Sequence, residues 1–173
     1  MRRTILCLCV GLLAACTSVK TDTLYLVSPH IQSVSGQPAY TPTEAIGFAF
    51  YASSTSWAPA SYAQAEAGVL ENLRTGELRG YNLHSELDTA GKISFRLTSS
   101  PAILVVCDPI NRLYAWREVS VPENLPQMLL PVYFRLWRTQ SLYTDSGWTV
   151  VNDFTEESET QSLELPLRSM DDL

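Results

Sequence analysis

The sequence predicts an all-β fold, an antiparallel β-sandwich of about seven to nine strands with one short helical insertion. Apolar residues recur at every second position in several short segments, the pattern of strands with one buried face. Helical periodicity is nearly absent, and Gly, Pro, Asn, Asp and Ser punctuate the chain between those segments. Short strands, scarce helix and frequent turns favour a sandwich, with a closed barrel as the alternative.

The first sixteen residues are of a different kind. Arg2 and Arg3 precede a short apolar run over residues 5–14, and Leu13-Ala14-Ala15-Cys16 closes it with small residues before a cysteine. Cationic start, apolar core and small-residue exit are the layout of a cleaved export signal. The run falls short of the roughly 20 residues that span a bilayer, which favours removal over retention. The segment resembles the lipobox signal of bacterial lipoproteins. That resemblance implies cleavage after residue 15, a diacylglyceryl thioether on Cys16 and usually a further amide-linked chain. Two acyl chains anchor stably where one does not, at about 0.8 kcal/mol per buried CH₂. Thr17 stands where the family's inner-membrane retention signal has Asp, so the resemblance implies a lipid-anchored place in the cell envelope, at the outer membrane. Residues 1–15 are then signal, residues 16–23 the lipidated cysteine and tether, and residues 24–173 a single β domain with an acidic C-terminal segment.

Cleavage would leave 158 residues, a length suited to one domain with a substantial core. Ten basic residues would then face eighteen acids, a formal charge of −8 that disfavours nucleic acid and bare anionic lipid as partners. Seven of the acids follow Asn152 against the single Arg168, so the acidity belongs mainly to the tail. Cys7 and Cys9 fall in the signal and Cys16 carries lipid, leaving Cys107 as the one thiol and no internal disulfide.

Along the domain, Ile46, Phe48 and Phe50 alternate with Ala45, Gly47 and Ala49, while Ile93, Phe95 and Leu97 alternate with Ser94 and Arg96. Both segments are expected to face a common core. Residues 61–66 follow Pro59 in an alanine-rich stretch and predict a helix of one or two turns. Arg74-Thr75-Gly76-Glu77 and Asp88-Thr89-Ala90-Gly91 are turn signals, each with a glycine able to supply positive φ. Residues 103–107 are apolar on both faces and predict a central strand. Val132, Phe134 and Leu136 are expected inward, with Tyr133, Arg135 and Trp137 outward. Trp148, Val150 and Asn152 follow an Asp-Ser-Gly turn as a further strand. Residues 153–160 predict a solvated loop, and Leu163, Leu165 and Leu167 alternate around Pro166, which confines such a strand to a sheet edge.

Residues 68–80, Gly-Val-Leu-Glu-Asn-Leu-Arg-Thr-Gly-Glu-Leu-Arg-Gly, followed by Asp88-Thr89-Ala90-Gly91-Lys92-Ile93-Ser94-Phe95, resemble carboxypeptidase-regulatory, transthyretin-like sandwich domains. The resemblance covers about a third of the chain, rests on turn chemistry, and implies an Ig-like or transthyretin-like sandwich. The alanine-rich insertion before Gly68 and the strands after Pro131 depart from that pattern. Together with Phe134-Arg135-Leu136-Trp137-Arg138 and Gly147-Trp148-Thr149-Val150-Val151-Asn152, the chain is similar to small surface lipoproteins of Gram-negative gut anaerobes, a family that supplies no catalytic residues.

Catalytic, metal-binding and cofactor-binding residues are not expected. The two histidines, His30 and His84, lie in no catalytic motif. His84, Ser85 and Asp88 contain the residue types of a hydrolase triad without a nucleophile elbow, and read as a polar loop. Ligand spacing for zinc is missing, as is the glycine-turned spacing of a calcium loop around Asp153, Glu156, Glu157 and Glu159. Cys107, after Val105-Val106 and before Asp108, reads as core filler because burial and a neighbouring acid disfavour its thiolate. Tyr133, Arg135 and Trp137 on one strand face are the candidate binding surface, aromatic and arginine being the composition of contact hot spots. The expected function is a membrane-anchored, non-catalytic binding or scaffolding domain with an envelope protein partner. A glycan-binding accessory role, a pilus-like structural subunit and a small envelope hydrolase are the alternatives.

Overall fold

The structure, a computed structural model, describes residues 22–32, 40–122, 125–135, 141–143 and 147–152. Cys16, Trp137, Leu136 and the acidic tail after Asn152 lie outside these residues. The chain is all-β and sandwich-like, with twelve strands and one five-residue helix among the described residues. The strands are β1 (Thr23–Gln32), β2 (Ile46–Phe50), β3 (Trp57–Ala58), β4 (Val69–Asn72), β5 (Leu78–Gly80) and β6 (Leu83–Glu86). They continue with β7 (Ile93–Leu97), β8 (Ala102–Asp108), β9 (Leu113–Val119), β10 (Gln127–Arg135), β11 (Ser141–Tyr143) and β12 (Thr149–Asn152), and the helix α1 is Tyr62–Glu66. The count exceeds the expected seven to nine because several strands, such as β3 and β5, are only two or three residues long.

Three sheets form, in the orders β10-β1-β7, β11-β12-β9-β8-β2-β6 and β3-β4-β5. The six-stranded sheet is the middle layer, and its central strand β8 is buried at every position. Alternate residues of β8 serve two cores. Ala102, Leu104 and Val106 face the β10-β1-β7 sheet with Tyr25, Val27, Phe95 and Phe134, while Ile103, Val105 and Cys107 pack with Phe50, Tyr62, Ala65 and Leu70. The continuous apolar run at residues 103–107 therefore reads as a strand covered on both faces, as expected from sequence.

The expectation that Ile46, Phe48 and Phe50 share a core with Ile93, Phe95 and Leu97 is corrected. Phe48 and Phe50 turn to the α1 side, whereas the β7 residues fill the opposite core. The physical reason is the small-residue face of β2. Ala45, Gly47 and Ala49 leave a shallow surface on which the large β7 side chains sit, and a Cβ at Gly47 would lie 2.7 Å from Phe95 Cζ. Both faces of β2 are thus covered, the small-residue face by the large side chains of β7 and the large-residue face by the α1 side.

The pairing of β1 with β10 is parallel over nine residues, a departure from a purely antiparallel sandwich. Parallel neighbours need a long crossover, which the intervening chain from β2 to β9 provides. Pro29 is tolerated in the middle strand because the β1–β7 ladder ends at Val27, and Pro131 lies on the sheet edge formed by β10.

The turn signals behave as read. Gly76 and Gly91 both take φ of 71°, and the Asp88 carboxylate accepts from Ala90 N and Lys92 N to close its turn. Ser61 caps α1 by accepting from Gln64 N at 3.2 Å. Glu118, near the end of β9, clamps the loop after β2 by accepting from Ser54 N and from Ser53 Oγ. The Ser54 backbone bond, and then the serine hydroxyls, outweigh burial and hold its carboxyl below the usual carboxylate range. A group depressed in this way stabilises the fold above its unfolded pKa, and that contribution is lost as pH falls through the folded one. Glu118→Gln is therefore expected to lower stability at neutral pH and to flatten the further loss below about pH 4.5, so that the two proteins converge in acid. Urea unfolding of both chains across that range is the check.

Candidate functional site

His84, Ser85 and Asp88, which contain the residue types of a hydrolase triad, do not converge. His84 and Ser85 are strand neighbours on β6 and point to opposite faces; His84 pairs with Phe48, and Ser85 pairs with Gly47 and accepts from Ser94 N at 3.3 Å. Asp88 is occupied by its own turn. Cys107 is fully buried, and burial first, then Glu66 and Asp108, push its thiol well above the ordinary range. The buried Asp108 carboxylate accepts from Ile110 N, Asn111 N and Asn111 Nδ2, which fixes the β8–β9 turn. No group of three or more metal-ligating side chains occurs among the described residues. Two open recesses, of ≈ 460 Å³ at the β4–β5 hairpin and ≈ 330 Å³ beside Glu86, contain neither histidine nor cysteine in their linings.

Tyr133 and Arg135 lie on β10 in register with His30 and Gln32 of β1. Tyr133 is half-buried and stacks on His30, with centroids 5.3 Å apart and planes at 22°. Burial, reinforced by nearby Lys92, holds His30 below its ordinary pKa. Beside it the Lys92 ammonium donates to Ser28 Oγ. The third residue of the predicted surface, Trp137, lies outside the described residues.

A second aromatic cluster was not legible as a unit from sequence. The Phe48, Tyr81 and His84 rings meet with centroids 5.1, 5.2 and 5.9 Å apart. Phe48 is buried beneath, while Tyr81 is 49% exposed and His84 is exposed. Backbone chemistry sets this arrangement. Asn82 N donates to Ala49 O, and Tyr51 N donates to Asn82 Oδ1, locking the β5–β6 turn onto the end of β2. Tyr81 N donates to Gly68 O, which lays the tyrosine ring over the glycine. A Cβ at Gly68 would sit 2.5 Å from Tyr81 Cδ1 and 2.8 Å from Phe48, and φ there is 65°. Only glycine satisfies both the space and the backbone conformation. Nearby on the β3-β4-β5 unit, Arg79 lies 5.7 Å from the Trp57 ring centroid, while Leu73 and Leu78 are exposed.

The chain matches no family model, no curated protein and no solved structure. No helix among the described residues is long and apolar enough to cross a membrane.

Proposed function

We propose that this chain is an envelope lipoprotein, anchored at the outer membrane through an acylated Cys16, whose β domain is a non-catalytic binding or scaffolding module for a protein partner. The carrying observation is the Tyr81–His84 pair, exposed on a backbone that leaves it little freedom. Aromatic side chains held in place lose little entropy on binding, and such residues dominate protein contacts. The lipobox at residues 13–16 supports the anchor. A glycan ligand is the alternative, since rings can stack on sugars. The 46° between the Tyr81 and His84 planes favours a protein, because the two rings do not form one flat platform.

A photo-crosslinking side chain at position 81 of the acylated protein, used in intact cells, tests this reading. A discrete protein adduct is expected, and in purified form the Tyr81→Ala/His84→Ala chain should bind that protein at least about tenfold more weakly. Its melting temperature should fall by several degrees at most, because the two rings cover Phe48 but only partly bury themselves. Absence of any protein adduct, with glycan-array binding that the double variant loses, would replace the protein reading with the glycan one.

A further inference from the structure

We propose that the outer face of the β10-β1-β7 sheet rests on the phospholipid headgroup layer that holds Cys16; this rests on the acylation proposed above. The first observation is charge. β1, β7 and β10 contain no aspartate or glutamate, although the chain has eighteen acids. The cations Lys92 and Arg96 border β1 on that face, with Arg96 exposed and in register with Leu24. It is therefore a face on which an otherwise acidic protein meets lipid phosphates without its own carboxylates opposing them.

The second observation is the apolar content of the same face. Leu129 is 59% exposed, beside half-buried Leu26 at its register position and half-buried Leu24 along the strand. The stacked Tyr133–His30 pair continues the stripe. Leucine beside tyrosine and cations suits the boundary between headgroups and acyl chains, where aromatic rings with a polar end also concentrate.

The third observation is reach. Only residues 17–22 separate Cys16 from Thr23, the first residue of β1. Seven Cα steps extend at most about 25 Å, so the start of the sheet's middle strand cannot leave the vicinity of the anchored lipid. The tether supplies the local concentration that a net-acidic domain lacks in free solution. Lying on this sheet turns the opposite side of the three layers, with α1 and β3-β4-β5, away from the bilayer. The β3-β4-β5 unit then faces partners rather than lipid.

The test uses full-length acylated protein in vesicles of phosphatidylethanolamine and phosphatidylglycerol carrying a headgroup-quencher lipid. An environment-sensitive fluorophore is placed through Leu129→Cys or, as control, Leu78→Cys; both positions are exposed, and buried Cys107 does not compete for label. Quenching at 129 should exceed that at 78 by about threefold or more, with a blue-shifted emission only at 129. Adding Arg96→Glu, which puts an acid on the face, should reduce the difference. Equal weak quenching at both positions, with Cys16 found acylated by mass spectrometry, would overturn the docking and leave the anchor standing. An unmodified Cys16 would overturn both. A dry but unquenched label at 129 would mean that another part of the chain or a second copy covers the face, and would equally overturn the docking.

Discussion

Trp148→Ala is expected to remove about 3–5 kcal/mol of stability, the cost of truncating a large aromatic in a closed core. Trp148 has no exposed surface and belongs to the core between the six-stranded sheet and β10-β1-β7. The Arg117 guanidinium lies 5.7 Å from its ring centroid, so the substitution also removes a cation–π contact. The ring stands immediately before β12, after Gly147 at a φ of 80°. Its burial fastens the β11–β12 end of the sheet to β9, where Thr149 is in register with Trp116. Thermal unfolding should shift down by roughly 10 °C or more for a chain of this length. Trp148→Phe should keep most of the stability, because it retains the ring contacts and leaves a smaller void. A shift under about 2 °C for the alanine chain would contradict the packing of this core.

Gly47→Val should be the second severe change, costing about 3 kcal/mol through overpacking. A single Cβ at Gly47 would lie 2.7 Å from Phe95 Cζ and 2.8 Å from Ile93 Cγ2, closer than nonbonded carbons approach. Neither neighbour can swing aside freely, since Ile93 is fully buried and Phe95 nearly so. The penalty arises from contact between the layers and not from backbone conformation. Gly47→Val/Phe95→Leu should therefore recover part of the loss, a coupling that a double-mutant cycle in urea measures. Strict additivity of the two changes would show that Gly47 does not set the approach of β7 to β2.

These two sites mark where sequence reading succeeds and where it stops. The both-sided burial of β8 was legible because residues 103–107 are apolar without interruption, and the short helix within residues 61–66 and the Gly76 and Gly91 turns were legible because local chemistry alone specifies them. The facing of β2 was not. Alternating large and small apolar residues look the same whichever face meets β7, and only the close fit over Gly47 decides it. The parallel β1–β10 pairing joins segments about a hundred residues apart, beyond any local signal. Tyr133 was legible as outward by alternation, but its stacking partner His30 follows from the β1–β10 register. The Phe48–Tyr81–His84 cluster depends likewise on the β2–β6 register that sets Phe48 opposite His84. A possible clue was Gly68, whose requirement for an open backbone position becomes clear only once Tyr81 is laid over it.

The division of labour follows from the layers. In the proposed arrangement the acid-free sheet would turn to lipid; the middle sheet supplies two cores, and the third layer carries Arg79, Trp57 and an exposed Leu78 on the opposite side. At the end of the middle sheet, the β5–β6 turn holds Tyr81 and His84 over Phe48. Tethering at Cys16, as proposed, would make this arrangement useful by fixing which side meets the bilayer. Mass spectrometry of the envelope-purified protein is the most direct measurement. The account predicts an N-terminal peptide that begins at Cys16 and carries a diacylglyceryl mass on sulfur. A chain that retains Met1, or one that begins at Cys16 with a free thiol, would contradict it.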